Sequence, residues 1–273
     1  MSARSKGESL ENVTRTRSEL RRRLRSRERL FAGWVSFAQA SITEILAQAG
    51  FDFIAIDMEH STITVEQAQR IIAACQASGT PCLPRPVSHS NDWIKPLLEN
   101  GADGMIIPMV NTAAQVTDLV SLFKYPPVGN RSFGMSRAQS YGFGFDNYVR
   151  DWNDISSLVI QVESIEAVNN IDELLENDIV DGVMVGPYDI SGSLGVPGQV
   201  THPNVLRASR EVIEACERHG KSCGTQIVDP RRDSVRQLFD LGHTYAILSS
   251  DLFVLWKWAE SMESLMEEFK KDE

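Results

Sequence analysis

Long apolar runs are missing from this 273-residue sequence. None reaches the roughly 18 residues that a membrane-spanning helix requires. The opening thirty residues, MSARSKGESLENVTRTRSELRRRLRSRERL, lack the apolar centre of a secretory leader. The expectation is a cytoplasmic protein that touches no membrane. Cysteine is scarce: Cys75, Cys82, Cys216 and Cys223 are the full set, with no C-x2-C spacing. Each lies in or beside an apolar stretch, which predicts buried reduced thiols rather than a zinc knuckle or a disulfide framework. No G-x-G-x-x-G turn follows the first candidate strand, which argues against a dinucleotide-binding open sheet. Basic residues are outnumbered over most of the chain. Net charge is -10, yet residues 1–30 carry ten Lys/Arg against four Asp/Glu, so a local +6 leaves -16 on the rest. An acidic body does not build a nucleic-acid groove.

What the sequence does contain is alternation. Candidate strands at Gly33–Phe37, Phe53–Glu59, Pro81–Pro86, Gly104–Val110, Ser157–Ser164, Gly182–Pro187, Cys223–Ile227 and Tyr245–Ser250 are short and nearly all apolar. Amphipathic segments such as TVEQAQRIIAACQASG and NVLRASREVIEACERHG separate them, and several end at a glycine (Gly50, Gly79, Gly101, Gly220, Gly242) as helix C-caps do. Strands of this kind belong to a parallel sheet covered by helices. Eight units predict an α/β fold, a single (β/α)8 TIM barrel over residues 29–273. Residues 1–28 form a basic arm, expected to be helical or partly disordered. Leu20, Leu24 and Leu30 recur among its arginines, so a solvated helix start is the plain reading and contact with an anionic surface the sharper one. The closing segment, DLFVLWKWAESMESLMEEFKKDE, fits an eighth barrel helix, a subunit contact, or both. Residues 125–154, rich in Gly, Arg and aromatics, are too long for an ordinary connection and suggest a functional loop.

In such barrels chemistry sits where strands exit at their C-terminal ends. The second strand exits through Asp57, Glu59 and His60, and the third through Arg85, held between two prolines. The fifth exits through Gln161 and Glu163, which alternation places on one face. The sixth exits through Gly186, Pro187, Tyr188 and Asp189. Two carboxylates on neighbouring strands make a hard-oxygen site suited to Mg2+ or Mn2+, with Co2+ a further candidate. An arginine aimed into the mouth suits an oxyanion. Lys95, Lys124 and Lys221 fall on helices or loops, so a Schiff-base route lacks its nucleophile.

The strings FDFIAIDMEHS, PCLPRPV, IKPLLENGADGMIIPMV, YPPVGNRSFG, LVIQVES and VDGVMVGPYDISGSLGVPGQVTHP, in that order, resemble the HpcH/HpaI family of metal-dependent pyruvate aldolases over about residues 30–255. The resemblance implies a class II aldolase, a carbon–carbon lyase that cleaves or forms 4-hydroxy-2-oxo acids. Its partners would be a small 2-oxo acid (pyruvate or oxaloacetate) and an aldehyde. It implies Glu163 and Asp189 as metal ligands, and Arg85, Gln161 and the Gly186–Asp189 backbone as substrate contacts. His60 would move the proton, with Glu99 standing where the family has a partner aspartate. Asp57, Glu59, Arg131 and Arg137 become acceptor-side candidates, with Arg131 and Arg137 reading equally as subunit-contact arginines. A homo-oligomer, a hexamer or trimer of dimers, is implied as well. Departures from the pattern are Met58, Glu99 and Ser132, at places where relatives often carry Gly, Asp and Gly. Rival readings are oxaloacetate decarboxylation, biosynthetic carbon–carbon bond formation, a coenzyme A-ester lyase, and a catalytically silent barrel scaffold.

Overall fold

The computed structural model describes residues 3–271, with side chains from residue 11 onward. Eight strands follow one another: β1 (Leu30–Val35), β2 (Phe53–Asp57), β3 (Cys82–Arg85), β4 (Gly104–Ile107), β5 (Ser157–Val162), β6 (Gly182–Val185), β7 (Ser222–Ile227) and β8 (Tyr245–Leu248). The helices are α1 (Ala3–Arg25), α2 (Ala40–Ala47), α3 (Val65–Ala77), α4 (Asn91–Glu99), α5 (Ala113–Phe123), α6 (Phe145–Ile155), α7 (Ile165–Asn169), α8 (Ile171–Leu175), α9 (Pro187–Ser193), α10 (Pro203–Arg218), α11 (Arg232–Asp240) and α12 (Asp251–Lys271). All registered pairings are parallel, in the order β3-β2-β1-β8-β7-β6-β5-β4. The two outer members meet through Asp103, whose N–H donates to the Cys82 carbonyl (2.9 Å) while its carboxylate accepts from the Cys82 N–H (2.8 Å). This is the (β/α)8 barrel, and the five expected cap glycines all adopt positive φ.

Period-two alternation divides the strand residues between two cores. Val35, Ile54, Ile56, Cys82, Ile107 and Ile160 face the helices. Ala32, Trp34, Phe53, Ala55, Leu83, Ile106, Val159, Met184, Tyr245 and Ile247 fill the barrel. Gly224 must be glycine because a Cβ there would lie 2.2 Å from the Tyr245 ring. Leu20 and Leu24 of α1 complete the inner core, so this helix plugs the N-terminal end of the barrel.

That end is built on a repeated contact. Asp52, Asp103, Asp181 and Thr244 each precede an even-numbered strand. Their side chains accept from the N–H of Phe31 (2.7 Å), Cys82 (2.8 Å), Leu158 (3.0 Å) and Cys223 (3.0 Å), near the starts of the odd strands. Three of the four are acids, and α1 supplies their counter-charges: Arg23 to Asp52, Arg17 to Asp103 and Arg21 to Asp181. The basic arm is therefore not a solvated helix start. Three of its arginines pair with acids at the base of the barrel, of which Asp103 and Asp181 are buried and Asp52 half-buried.

Residues 125–154 contain a 3-10 turn (Ser140–Gly142) and α6, whose buried face is Tyr148, Trp152 and Ile155. By contrast, the long helix α12 buries only Asp251, which accepts from the Ser36 and Phe37 N–H groups (2.8 and 3.0 Å). Its Trp258 is 63% exposed and Phe269 68%. It does not close the barrel wall as an eighth covering helix. Among the described residues no helix is long and apolar enough to cross a membrane.

Candidate functional site

The inner layers of the barrel are apolar up to one level, above which the same inward phase turns polar. Asp57 continues the phase of Phe53 and Ala55, Arg85 that of Leu83, and Gln161 and Glu163 that of Val159. Register brings Asp57 directly opposite Arg85. Arg85 is the hub. Its Nη2 and Nε donate to Asp57 Oδ1 (2.8 and 3.1 Å), and its Nη1 donates to Gln161 Oε1 (3.2 Å) and lies 3.1 Å from Glu59 Oε2. Below it, the Trp34 ring centroid is 4.8 Å from the guanidinium carbon, a cation–π floor that holds the charge flat.

Gln161 is oriented from both sides. While Oε1 accepts from Arg85, Nε2 donates to Glu163 Oε2. The other Glu163 oxygen accepts from the Met109 N–H at 2.6 Å. Met109 sits just past β4 with φ 51, a left-handed conformation uncommon outside glycine. Sequence reasoning found neither Met109 nor Trp34: a backbone donor carries no residue-type signal, and an interior tryptophan reads as core. Gly186, the N-cap of α9, provides the space. A Cβ on it would lie 2.7 Å from Glu163 Cβ and 3.1 Å from Oε2.

The acids here repel one another. Burial, with the Met109 N–H opposing it, Glu59 and Asp189 adding to it and Arg85 opposing it, leaves the Glu163 carboxyl raised to about 7. Burial likewise raises Glu59, against the pull of Arg85 and His60 and with Asp57 and Asp189 adding to it. Glu59 Oε2 is buried without a hydrogen bond, although the Arg85 guanidinium stands at ion-pair distance. A cluster of oxygen donors whose charges are this poorly compensated fits a hard divalent cation. Among the described residues no three His, Cys, Asp or Glu side chains are gathered tightly enough to hold one alone. A two-carboxylate set leaves the remaining positions to water and substrate.

His60 lies at the rim, 69% exposed on its side chain, its Nε2 3.6 Å from Glu59 Oε2. Its N–H and that of Glu59 both donate to Asp57 Oδ1 (3.2 Å). Tyr188 and Asp189, both exposed, begin α9 behind Pro187. Glu99 does not meet His60 in this chain: it accepts from Arg131 Nη2 (2.9 Å) and Ser136 Oγ (2.6 Å). Arg131 also fails to face an acceptor, because Tyr125, Tyr148 and Trp152 enclose its guanidinium at 4.7–5.4 Å. Arg137 turns to Gln76 Oε1 (2.8 Å) and the Asn100 carbonyl (2.9 Å), away from the mouth. In each case the long segment after α5 packs down against α3, α4 and α6 instead of reaching over the opening. Lys124, fully buried, donates to the Asn153 and Ser156 carbonyls (2.8 and 3.1 Å) at the α1 end of the barrel. It is out of reach of a substrate at the mouth.

An arginine, a glutamine and several acids gather at the C-terminal mouth of a (β/α)8 barrel, where the active sites of such barrels lie and where a fixed cation can stabilise a developing oxyanion. The HpcH/HpaI aldolase/citrate lyase family model matches residues 31–257. The chain is 38% identical over 198 residues to the 2-keto-3-deoxy-L-rhamnonate aldolase of Klebsiella pneumoniae subsp. pneumoniae, covering 72% of this chain and 74% of that protein. It is 34% identical over 249 residues to the protein of that name from Escherichia coli, covering 91% of each. The crystal structure of an HpcH/HpaI aldolase from Desulfitobacterium hafniense DCB-2 superposes with a TM-score of 0.83 at 27% identity, covering 90% of this chain and 96% of that one. The chain belongs to the HpcH/HpaI aldolase/citrate lyase family. It is a carbon–carbon lyase with an aldolase's small-molecule substrates, in a family that works with a divalent metal ion.

Proposed function

We propose that this chain cleaves a 2-keto-3-deoxy sugar acid of the L-rhamnonate type, a 4-hydroxy-2-oxo acid, into pyruvate and a hydroxyaldehyde. The observation that carries the reading is the Arg85 hub, one buried cation joined to Asp57, Glu59 and Gln161, with Gln161 passing the network on to Glu163. Glu163 and Asp189 would hold Mg2+ or Mn2+, which when bound supplies Lewis-acid polarisation of the 2-oxo group.

The other steps belong to side chains. Arg85 places a fixed positive charge where negative charge grows on the 2-oxo oxygen as the C3–C4 bond breaks. Asp57, Gln161 and Trp34 keep that charge from moving, so little reorganisation is needed during reaction. His60, at the rim beside Glu59, accepts the C4 hydroxyl proton as the aldehyde leaves. The first-turn N–H groups of α9, which have no partner within the helix, receive the substrate carboxylate. The exposed apolar face of α12 supports a second copy of the chain as its cover, in a homo-oligomer.

The test is incubation of the full chain with 2-keto-3-deoxy-L-rhamnonate and Mg2+ or Mn2+, reading pyruvate by mass spectrometry. Pyruvate should form, stop on chelation, and be absent with Glu163→Ala. Turnover that ignores both the chelator and the substitution would overturn the reading.

A further inference from the structure

A cavity of about 810 Å3 lies away from the mouth. It lies between α1, the end of α3 and the segment running from Arg137 into α6. Four arginines (Arg15, Arg17, Arg137 and Arg150) and two acids (Glu11 and Asp151) line it. Two of the arginines are spent: Arg17 on buried Asp103, and Arg150 on Asp151 in a two-pronged pair at 2.6 and 2.8 Å. Arg15 donates to Asn12 Oδ1, and Arg137 to Gln76 and to the Asn100 carbonyl. Among the described residues neither has a carboxylate at salt-bridge distance. Burial lowers the Arg137 pKa, with Asp103 and Tyr141 opposing that shift, as for a guanidinium desolvated without its counter-ion. Its seat is specific, since a Cβ on Gly101 would lie 2.8 Å from Arg137 Nη1.

The segment that carries Arg137 also carries a strained turn. Ser140 (φ 53) and Tyr141 (φ 56) are consecutive left-handed residues, neither of them glycine. Such backbone persists only where its surroundings over-determine it, and it gathers at ligand sites. Here Gln139, fully buried, enforces the turn. Its Oε1 accepts from the Ser136 N–H (3.0 Å) and its Nε2 donates to Tyr125 Oη (3.2 Å), while the Tyr141 N–H donates to the Ser136 carbonyl (2.7 Å). The result is a tyrosine ring, 69% exposed, presented at the edge of the arginine-lined cavity.

We propose that this cavity is a second ligand site, remote from the chemistry, that takes an aromatic phosphate ester of nucleoside-monophosphate build. Arg15 and Arg137 hold the phosphate as paired guanidinium forks, and Tyr141 stacks on the planar ring. The volume falls within the range of small-molecule sites, roughly 300–1,000 Å3. Because α1 forms one wall, occupancy ties the arm more firmly to α3 and α6.

The test is isothermal titration of the full chain with AMP, using adenosine as the phosphate-free control. AMP should bind and adenosine should not. The Arg15→Gln/Arg137→Gln double variant should weaken AMP at least tenfold while aldol cleavage stays unchanged. Arg15→Gln alone, at an exposed position, should weaken it severalfold and serves should the double variant fail to fold. Absence of AMP binding at millimolar concentration, equal binding of adenosine, or unaltered AMP affinity in Arg15→Gln would overturn the proposal.

Discussion

Arg17 Nε lies 3.0 Å from Asp103 Oδ1 at the base of the barrel, with the guanidinium 3% exposed and the carboxylate 1%. The same Asp103 closes the β3–β4 seam through Cys82, so a residue of the N-terminal arm neutralises the charge on which barrel closure rests. Removing one member of a buried pair leaves the other uncompensated, at a cost of about 3–5 kcal/mol. Arg17→Ala should therefore lower the urea midpoint by that equivalent, and Arg21→Ala, which abandons Asp181, should do likewise. Deleting residues 1–28 should leave no cooperatively folded barrel. From the sequence alone the arm reads as a solvated helix start. Its true role could not be seen there, because Asp52, Asp103 and Asp181 are scattered over 130 positions and only the closed barrel gathers them.

Gly186→Ala should fold and yet lose activity. The added methyl would sit 2.7 Å from Glu163 Cβ, and helix α9 and strand β5 are both anchored. Displacing a reacting group by about 1 Å costs on the order of 100-fold in rate. The measurement is kcat and metal affinity beside an unchanged circular dichroism spectrum. Wild-type kinetics would mean that the close approach is unimportant.

Lys124 gives stability a pH dependence with a definite sign. Burial lowers its pKa to about 7, with Arg21 adding to the shift and Asp181 and Asp154 opposing it. Between about 7 and the unfolded value near 10.5, the unfolded chain holds a proton that the folded chain does not, so stability rises with pH across that window. Below 7 both states are protonated and the cost of the buried charge is fully in force. The slope should approach about 1.4 kcal/mol per pH unit near pH 8.5–9.5, read from urea midpoints. Lys124→Met should flatten it, and an unchanged slope in that variant would rule out this lysine as the source.

The apolar face of α12 should be hidden in solution. Trp258→Glu should shift the sedimentation coefficient towards a single chain, and the native protein should sediment as an oligomer. A native monomer would leave this face without its proposed cover.

Much of the architecture is visible in the sequence because it rests on local periodicity. All eight strands lie at or near the expected positions, and the inward phase of Asp57, Arg85, Gln161 and Glu163 follows from alternation. The first strand starts at Leu30 instead of Gly33, since Leu30–Ala32 continues the leucine spacing of the arm. Residues 145–155 carry Tyr148, Trp152 and Ile155 at helical spacing, but the glycines before them obscure it. The expected roles of Glu99, Arg131 and Arg137 rest on chain position alone. Their true partners, Ser136, Tyr148 and Gln76, are set by how the long segment folds down, which no short-range pattern encodes.

In the proposed reaction Glu163 and Asp189 hold the divalent ion. The decisive measurement is Mn2+ titration of the native chain, of Glu163→Gln and of Asp189→Asn, followed by calorimetry and paired with pyruvate release from the 2-oxo acid. One tight site should appear in the native protein. It should weaken at least tenfold in each variant, with turnover falling in step. Equal Mn2+ affinity in all three proteins, or turnover that survives both substitutions, would contradict it.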